Sequence, residues 1–269
     1  MGALVGKVAL VTGASRGVGK GIALGLGEQG ATVYVTGRTE SGGPAPTSLP
    51  GTVQETADEI TAIGGTGVAI VCDHRDDEQT RRAVQQVVTD AGRLDVLVNN
   101  VWGGYEYFWD GTPFWDEAGF WTQPIERWDA AFQAGVRAHY VTTVAAAPAM
   151  VAAGSGLIVN VSSDGAEKTD TGVAYGAAKA ATDHMIACMA QELREHGVTA
   201  VSLYPGLVRT ESVLRAADHF DLTDSESPLF VGRVVAALAG DPESNRHTGK
   251  VVRTSHLAQE YGVTDPHPR

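Results

Sequence analysis

The chain has 269 residues, and its 20 Lys and Arg stand against 32 Asp and Glu, for a formal charge of −12. Hydrophobic residues make up 43%, enough for a core, which excludes intrinsic disorder; the acidity excludes the cationic surface that nucleic acid or an anionic membrane needs. Two cysteines cannot staple a chain of this length, so a disulfide scaffold is excluded and a reducing compartment is expected.

The N-terminal apolar run is too short for a signal-peptide core, and Gly6 stands where myristoylation needs Ser or Thr. A cytoplasmic location is therefore expected. In chain order, the pattern predicts a strand at Lys7–Thr12, a helix at Val18–Glu28, a strand at Thr32–Thr36 and a helix at Thr52–Ile63. A strand at Gly67–Val71, a helix at Glu78–Ala91 and a strand at Leu94–Val98 follow. One long helix is expected over Pro124–Ala153, then a strand at Gly156–Val161, a helix at Tyr175–His196 and a strand at Val198–Leu203. A helix at Pro228–Ala239 and a strand at Gly249–Arg253 close the series. The stretches 41–50, 102–123 and 211–227 read as irregular. Nearly continuous apolar strands alternating with helices predict an α/β fold: a seven-stranded, doubly wound parallel sheet with helices on both faces. With no linker along the way, one domain is expected over residues 1–269. The uncharged run Tyr140–Ser163 is broken by Pro148 and by Gly154-Ser155-Gly156, so it reads as a buried helix and strand, with no membrane span.

The first strand runs into Gly13-Ala14-Ser15-Arg16-Gly17-Val18-Gly19 and then a helix. Glycines let the backbone approach a pyrophosphate, and a helix N-terminus offers free N–H groups and a positive dipole end. The alternative is a plain tight turn.

The spacing T-G-x-x-x-G-x-G resembles the short-chain dehydrogenase/reductase family. So do Asn99-Asn100, Ser162-Ser163, Tyr175-Gly-Ala-Ala-Lys179 and Pro205-Gly206. Within that family, segments such as G-R-L-D-V-L-V-N-N and H-G-V-T-A-V-S-L-Y-P-G are similar to the lineage of family member 1. The resemblance covers nearly the whole chain. It implies a Rossmann-type fold, a nicotinamide cofactor, a small-molecule carbonyl or alcohol substrate and a homo-oligomer, a dimer in preference to a tetramer. It implies cofactor contacts at Gly13, Ser15, Arg16, Gly17, Val18, Gly19, Asp73, Asn99, Tyr175, Lys179, Pro205, Gly206, Val208 and Thr210.

At the end of the second strand, Arg38 stands where an NAD enzyme carries an acid, and Arg16 lies within reach. Two cations and no carboxylate predict NADP(H) over NAD(H). Tyr175 and Lys179 share a helix face at i and i+4, so the ammonium can favour the phenolate. The resemblance makes them, with a serine, the catalytic group. Ser162 has the usual family spacing from Tyr175; Ser163 has the expected strand register and is preferred. The Asn that many members carry in the central helix falls here on Gly135, and Val101-Trp102 follows the Asn pair. Nine aromatics crowd residues 102–121, among them Trp109 and Trp115. They read as a lid core, a subunit contact or a wall for a bulky apolar ketone such as a steroid, quinone or xenobiotic. The leading expectation is an NADPH-dependent carbonyl reductase. Alcohol oxidation and a cofactor-binding regulator are the alternatives. No metal-ligand spacing occurs, and none is expected.

Overall fold

The computed structural model describes residues 2–42, 48–106 and 119–266. Seven strands pair in parallel: β1 (Val8–Val11), β2 (Thr32–Gly37), β3 (Thr66–Val71), β4 (Val96–Asn99), β5 (Gly156–Val161), β6 (Val198–Tyr204) and β7 (Val251–Arg253). Between and after them lie α1 (Gly17–Glu28), α2 (Val53–Ala62), α3 (Asp77–Ala91), α4 (Ile125–Ala131), α5 (Ala138–Ala153), α6 (Val173–Leu193), α7 (Glu211–Arg215), α8 (Pro228–Gly240) and α9 (Thr254–Tyr261). This is the expected Rossmann-type sheet, and every strand starts within two residues of its expected position.

The apolar strand sequences follow from burial on both sides. Successive residues of a strand face opposite ways. Ala9 and Val11 of β1 pack with Ile22 and Leu26 of α1 and with Val231 and Val235 of α8. Val8 and Leu10 pack with Val84 and Val87 of α3, Met150 of α5 and Ile186 of α6. α1 and α8 touch through glycines: a Cβ on Gly232 would stand 1.9 Å from the Gly21 carbonyl oxygen. Any side chain there would push α1, and with it the loop before it, away from the sheet.

The strand order is β3-β2-β1-β4-β5-β6-β7, so the winding reverses between β1 and β4. The loops leaving these two strands diverge, which opens a crevice at the carboxyl edge of the sheet.

Three details depart from expectation. Pro124–Ala153 is interrupted: α4 passes into a π-helical turn at Phe132–Arg137 before α5 begins. The widened turn carries Gly135, whose missing side chain leaves room for the Trp102 ring; a Cβ there would meet the indole at 2.7 Å. Within the stretch read as irregular, Thr210 accepts a hydrogen bond from the Val213 N–H and starts α7. α9 follows β7 directly, with no capping side chain to announce it. The uncharged run Tyr140–Ser163 divides into nearly all of α5 and all of β5, and no described helix is long and apolar enough to cross a membrane.

Candidate active site

The glycine loop is pinned from β4. Thr12 Oγ1 accepts hydrogen bonds from the Asn100 and Val101 amides at 2.9 and 3.1 Å, and the Asn100 amide group donates to the carbonyls of Thr12 and Gly13, both at 3.0 Å. Gly13 takes φ +66°, and a Cβ on Gly19 would stand 2.3 Å from Asn100 Nδ2. Larger residues would close the space into which the loop folds. Ser15 is buried and Val18 packs against the core. α1 begins at Gly17 without a side-chain cap, so its first turn carries amides that seek an acceptor. The Gly17 amide donates to Glu211 Oε2 at 3.0 Å. Asn99 turns inward instead, donating to Asn160 Oδ1 and Thr143 Oγ1. Asn100, the second residue of the pair, is the one that holds the loop.

Beyond β2 the cations are committed to partners. Arg38 forms an ion pair with Glu106 at 2.7 Å. Arg75 reaches the same carboxylate at 3.4 Å and holds Asp73 at 2.6 Å. Burial pushes the Asp73 carboxyl up, but the Arg75 hydrogen bonds and charge outweigh it and hold it below the usual value. Arg16 donates to the carbonyls of Pro50 and Gly51 and to Thr39 Oγ1, which ties the glycine loop to the segment after β2.

At the other end of the crevice, β5 and α6 bring three side chains together. Tyr175 Oη donates to Ser163 Oγ at 2.8 Å. One turn along α6, the buried Lys179 Nζ donates to the Val161 carbonyl at 3.2 Å and lies 4.1 Å from the centre of the Trp102 ring. Burial drives the Lys179 pKa down from 10.5 to about 8, against the pull of Asp183. Ser162 points the other way: it is 3% exposed and donates to the Lys179 carbonyl. The one-residue step in the extended chain just beyond β5 thus puts Ser163, and not Ser162, beside the tyrosine.

Trp102 and Tyr105 frame Tyr175. Trp102 meets its ring edge-on at 5.5 Å, and Tyr105 stacks on it at 6.4 Å. His139, one turn after Gly135, is buried with Nε2 on the Val101 carbonyl. Burial first, and the Lys179 charge second, drive its pKa down to about 3, so it is neutral. Its Nδ1 and Trp102 Nε1 are buried without a hydrogen-bond partner among the described residues. The Trp102–Gly135 match joins residues far apart in the chain, so neither alone announces it.

After β6, the Pro205-Gly206 turn is braced by Glu226: Glu226 Oε2 accepts from the Gly206 amide and from Thr254 Oγ1. Val208 bridges to Glu226, and Thr210 caps α7. Trp109 and Trp115 lie outside the described residues. No group of three or more metal-binding side chains occurs among the described residues.

These residues fit a dinucleotide. A glycine cradle opens onto a helix N-terminus, cations gather beyond β2, and a Ser–Tyr–Lys group waits at the far end.

Comparisons with known proteins agree. A family model described as short chain dehydrogenase matches residues 7–219. The chain is similar to dehydrogenase/reductase SDR family member 1, at 42% identity to the Mus musculus protein and 39% to the Homo sapiens one; each match covers 97% of this chain and 83% of the relative. It is 28% identical to 7alpha-hydroxysteroid dehydrogenase of Clostridium sardiniense over 89% of this chain and 83% of that one. The crystal structure of a metagenomic short-chain oxidoreductase in complex with NADP superposes with a TM-score of 0.71 at 30% identity, covering 93% of this chain and 98% of that one.

Proposed function

The chain belongs to the short-chain dehydrogenase family and is an oxidoreductase; from that premise we propose that it reduces the carbonyl group of a bulky apolar ketone with NADPH. The observation that carries this reading is the short contact between Tyr175 and Ser163, with the buried Lys179 one helical turn away. The bound nicotinamide supplies the hydride. Ser163 Oγ and Tyr175 Oη hold the substrate oxygen, and Tyr175 gives it its proton as the carbonyl is reduced. The Lys179 ammonium favours the phenolate left behind, an effect strengthened by its dry surroundings. Gly13, Ser15, Gly17, Val18 and Gly19 would hold the pyrophosphate, Asp73 the adenosine, and the backbone of Asn99, whose side chain turns inward, the wall of the crevice. Pro205, Gly206, Val208 and Thr210 would hold the carboxamide end. Arg38 and Arg16 would meet the 2′-phosphate, and the NADP in the similar oxidoreductase supports that choice.

Trp102 and Tyr105 beside the tyrosine support an apolar substrate, as does the steroid named for the Clostridium sardiniense relative. The expectation from the sequence that Trp109 and Trp115 contact the substrate belongs to the same proposal. Exposed Tyr140 and Val144, one turn apart on α5, support a homodimer. The location proposed is the cytoplasm.

A panel of ketones from acetone to a steroid, assayed with NADPH and NADH, tests the proposal. The expected result is turnover that favours NADPH and rises with ketone size. In Trp109→Ala or Trp115→Ala, KM should rise for large ketones only. Equal use of both cofactors, or turnover of small ketones alone, would contradict it.

A further inference from the structure

Each place proposed for a cofactor phosphate is already touched by one of the chain's own carboxylates. At the start of α1, Glu211 Oε2 accepts the Gly17 amide at 3.0 Å. Beyond β2, Glu106 spans two guanidiniums, with Oε1 2.7 Å from Arg38 Nη2 and Oε2 3.4 Å from Arg75 Nη1. A bridging carboxylate of this kind uses the same planar donor edges that a phosphate would use. Glu106 comes from the loop after β4, 68 residues from Arg38, so the contact crosses the crevice. Its side chain is 20% exposed and that of Arg38 27%, so the pair is partly dry.

We infer that Glu106 is a cofactor-selectivity residue: it competes with the 2′-phosphate for Arg38 and Arg75, while Glu211 competes with the pyrophosphate for α1. The inference rests on the NADPH reading above and adds Arg75 to the phosphate-binding cations. Two anions on one guanidinium edge repel each other and share too few donors, so Glu106 must leave as the phosphate arrives. Breaking its pairs lowers the affinity for NADPH. NADH carries no 2′-phosphate and leaves Glu106 in place. Glu106 therefore narrows the preference that Arg38 creates. Glu211 faces a phosphate group common to both cofactors, so it lowers both affinities alike.

Fluorescence titration of the purified protein with NADPH and NADH, and calorimetric titration with adenosine 2′,5′-bisphosphate, test this without turnover. In Glu106→Gln the dissociation constants for NADPH and the bisphosphate should fall roughly three- to fivefold, the upper part of the range expected for a partly exposed ion pair, while that for NADH stays within about twofold. Glu211→Gln should tighten both dinucleotides to the same degree, and Arg75→Gln should weaken NADPH alone. Should Glu106→Gln fold poorly, Glu106→Asp keeps the charge but is too short to span both guanidiniums, and it should tighten NADPH in the same sense. A wild type that prefers NADPH through Arg38, with Glu106→Gln and Glu106→Asp binding NADPH no tighter, would overturn the inference alone. A wild type with no preference, and with Arg38→Gln binding as it does, would overturn the NADPH reading beneath it.

Discussion

The two ends of the crevice are built from different materials. At the proposed catalytic end, Ser163 stands just beyond β5 and Tyr175 and Lys179 on α6, joined by one neutral hydrogen bond and one desolvated cation under an indole ring. At the far end, Arg38, Arg75, Asp73 and Glu106 stand on loops and form a chain of partly exposed ion pairs. A dry, rigid group changes reaction rate when altered, because its charge is felt at full strength and nothing can relax around it. A wet network of ion pairs changes affinity and selectivity by small steps, because solvent screens each pair and each has a substitute.

The largest effect should therefore come from the dry end. Lys179→Met should lower kcat by about 10²-fold or more, in the range typical of an acid–base group, while NADPH still binds; steady-state kinetics and a fluorescence titration check both halves. The same residue predicts a dependence of stability on pH. Its folded pKa is about 8, below the ordinary 10.5, so between these values the unfolded chain binds a proton that the folded chain has lost. Stability of the wild type relative to Lys179→Met should rise from pH 8 to 10.5, and below pH 8 the cost of the buried charge is borne in full. Denaturant unfolding across that window reads the difference. A flat difference would mean that Lys179 is better solvated than its position indicates.

Next in size is the packing at the π-helical turn. Gly135→Ala puts a methyl group 2.7 Å from the Trp102 indole and should cost about 1–3 kcal/mol by overpacking. Trp102→Phe in the same chain should recover most of that loss, whereas Trp102→Phe alone should gain nothing. Thermal melts of the four proteins form the cycle. Without recovery, the strain lies in the turn itself and not in the match between the two residues.

The smallest effect belongs to the wet end. Raising salt from 0.05 to about 0.5 M should shrink the preference for NADPH over NADH several-fold and leave kcat nearly unchanged, since the Debye length falls from about 14 Å to about 4 Å and the phosphate is then screened from all but the charges it touches. A preference that resists salt would place the phosphate in a drier site than Arg38 and Arg75 offer.

The same contrast governs what could be read from the sequence. The sheet was legible because strands buried on both faces are apolar throughout, and the glycine loop because its spacing serves a local backbone shape. The Tyr175–Lys179 pair is local too, one helical turn on α6. Ser163 was reached through strand register, which fixes the direction of every side chain on β5 at once. The far end was less accessible. Glu106 and Glu211 are single acids in loops, and their contacts with Arg38 and Gly17 span 68 and 194 residues. No periodicity marks such a pairing. Gly135 read as a missing Asn; that its empty side is filled by Trp102 depends on a π-helical turn that helix-period reasoning treats as plain α-helix. The inward turn of Asn99 and the loop-holding role of Asn100 are likewise matters of facing, one residue apart.

The central claim is that Tyr175, set by Ser163 and Lys179, delivers the proton to the reduced carbonyl. Tyr175→Phe removes one oxygen and preserves the ring that packs against Trp102 and Tyr105. Mixed with NADPH and a ketone that the wild type reduces, this variant should bind the cofactor with unchanged fluorescence and oxidise it about 10²–10⁴-fold more slowly in a single turnover. Oxidation at the wild-type rate, with binding intact, would contradict the account.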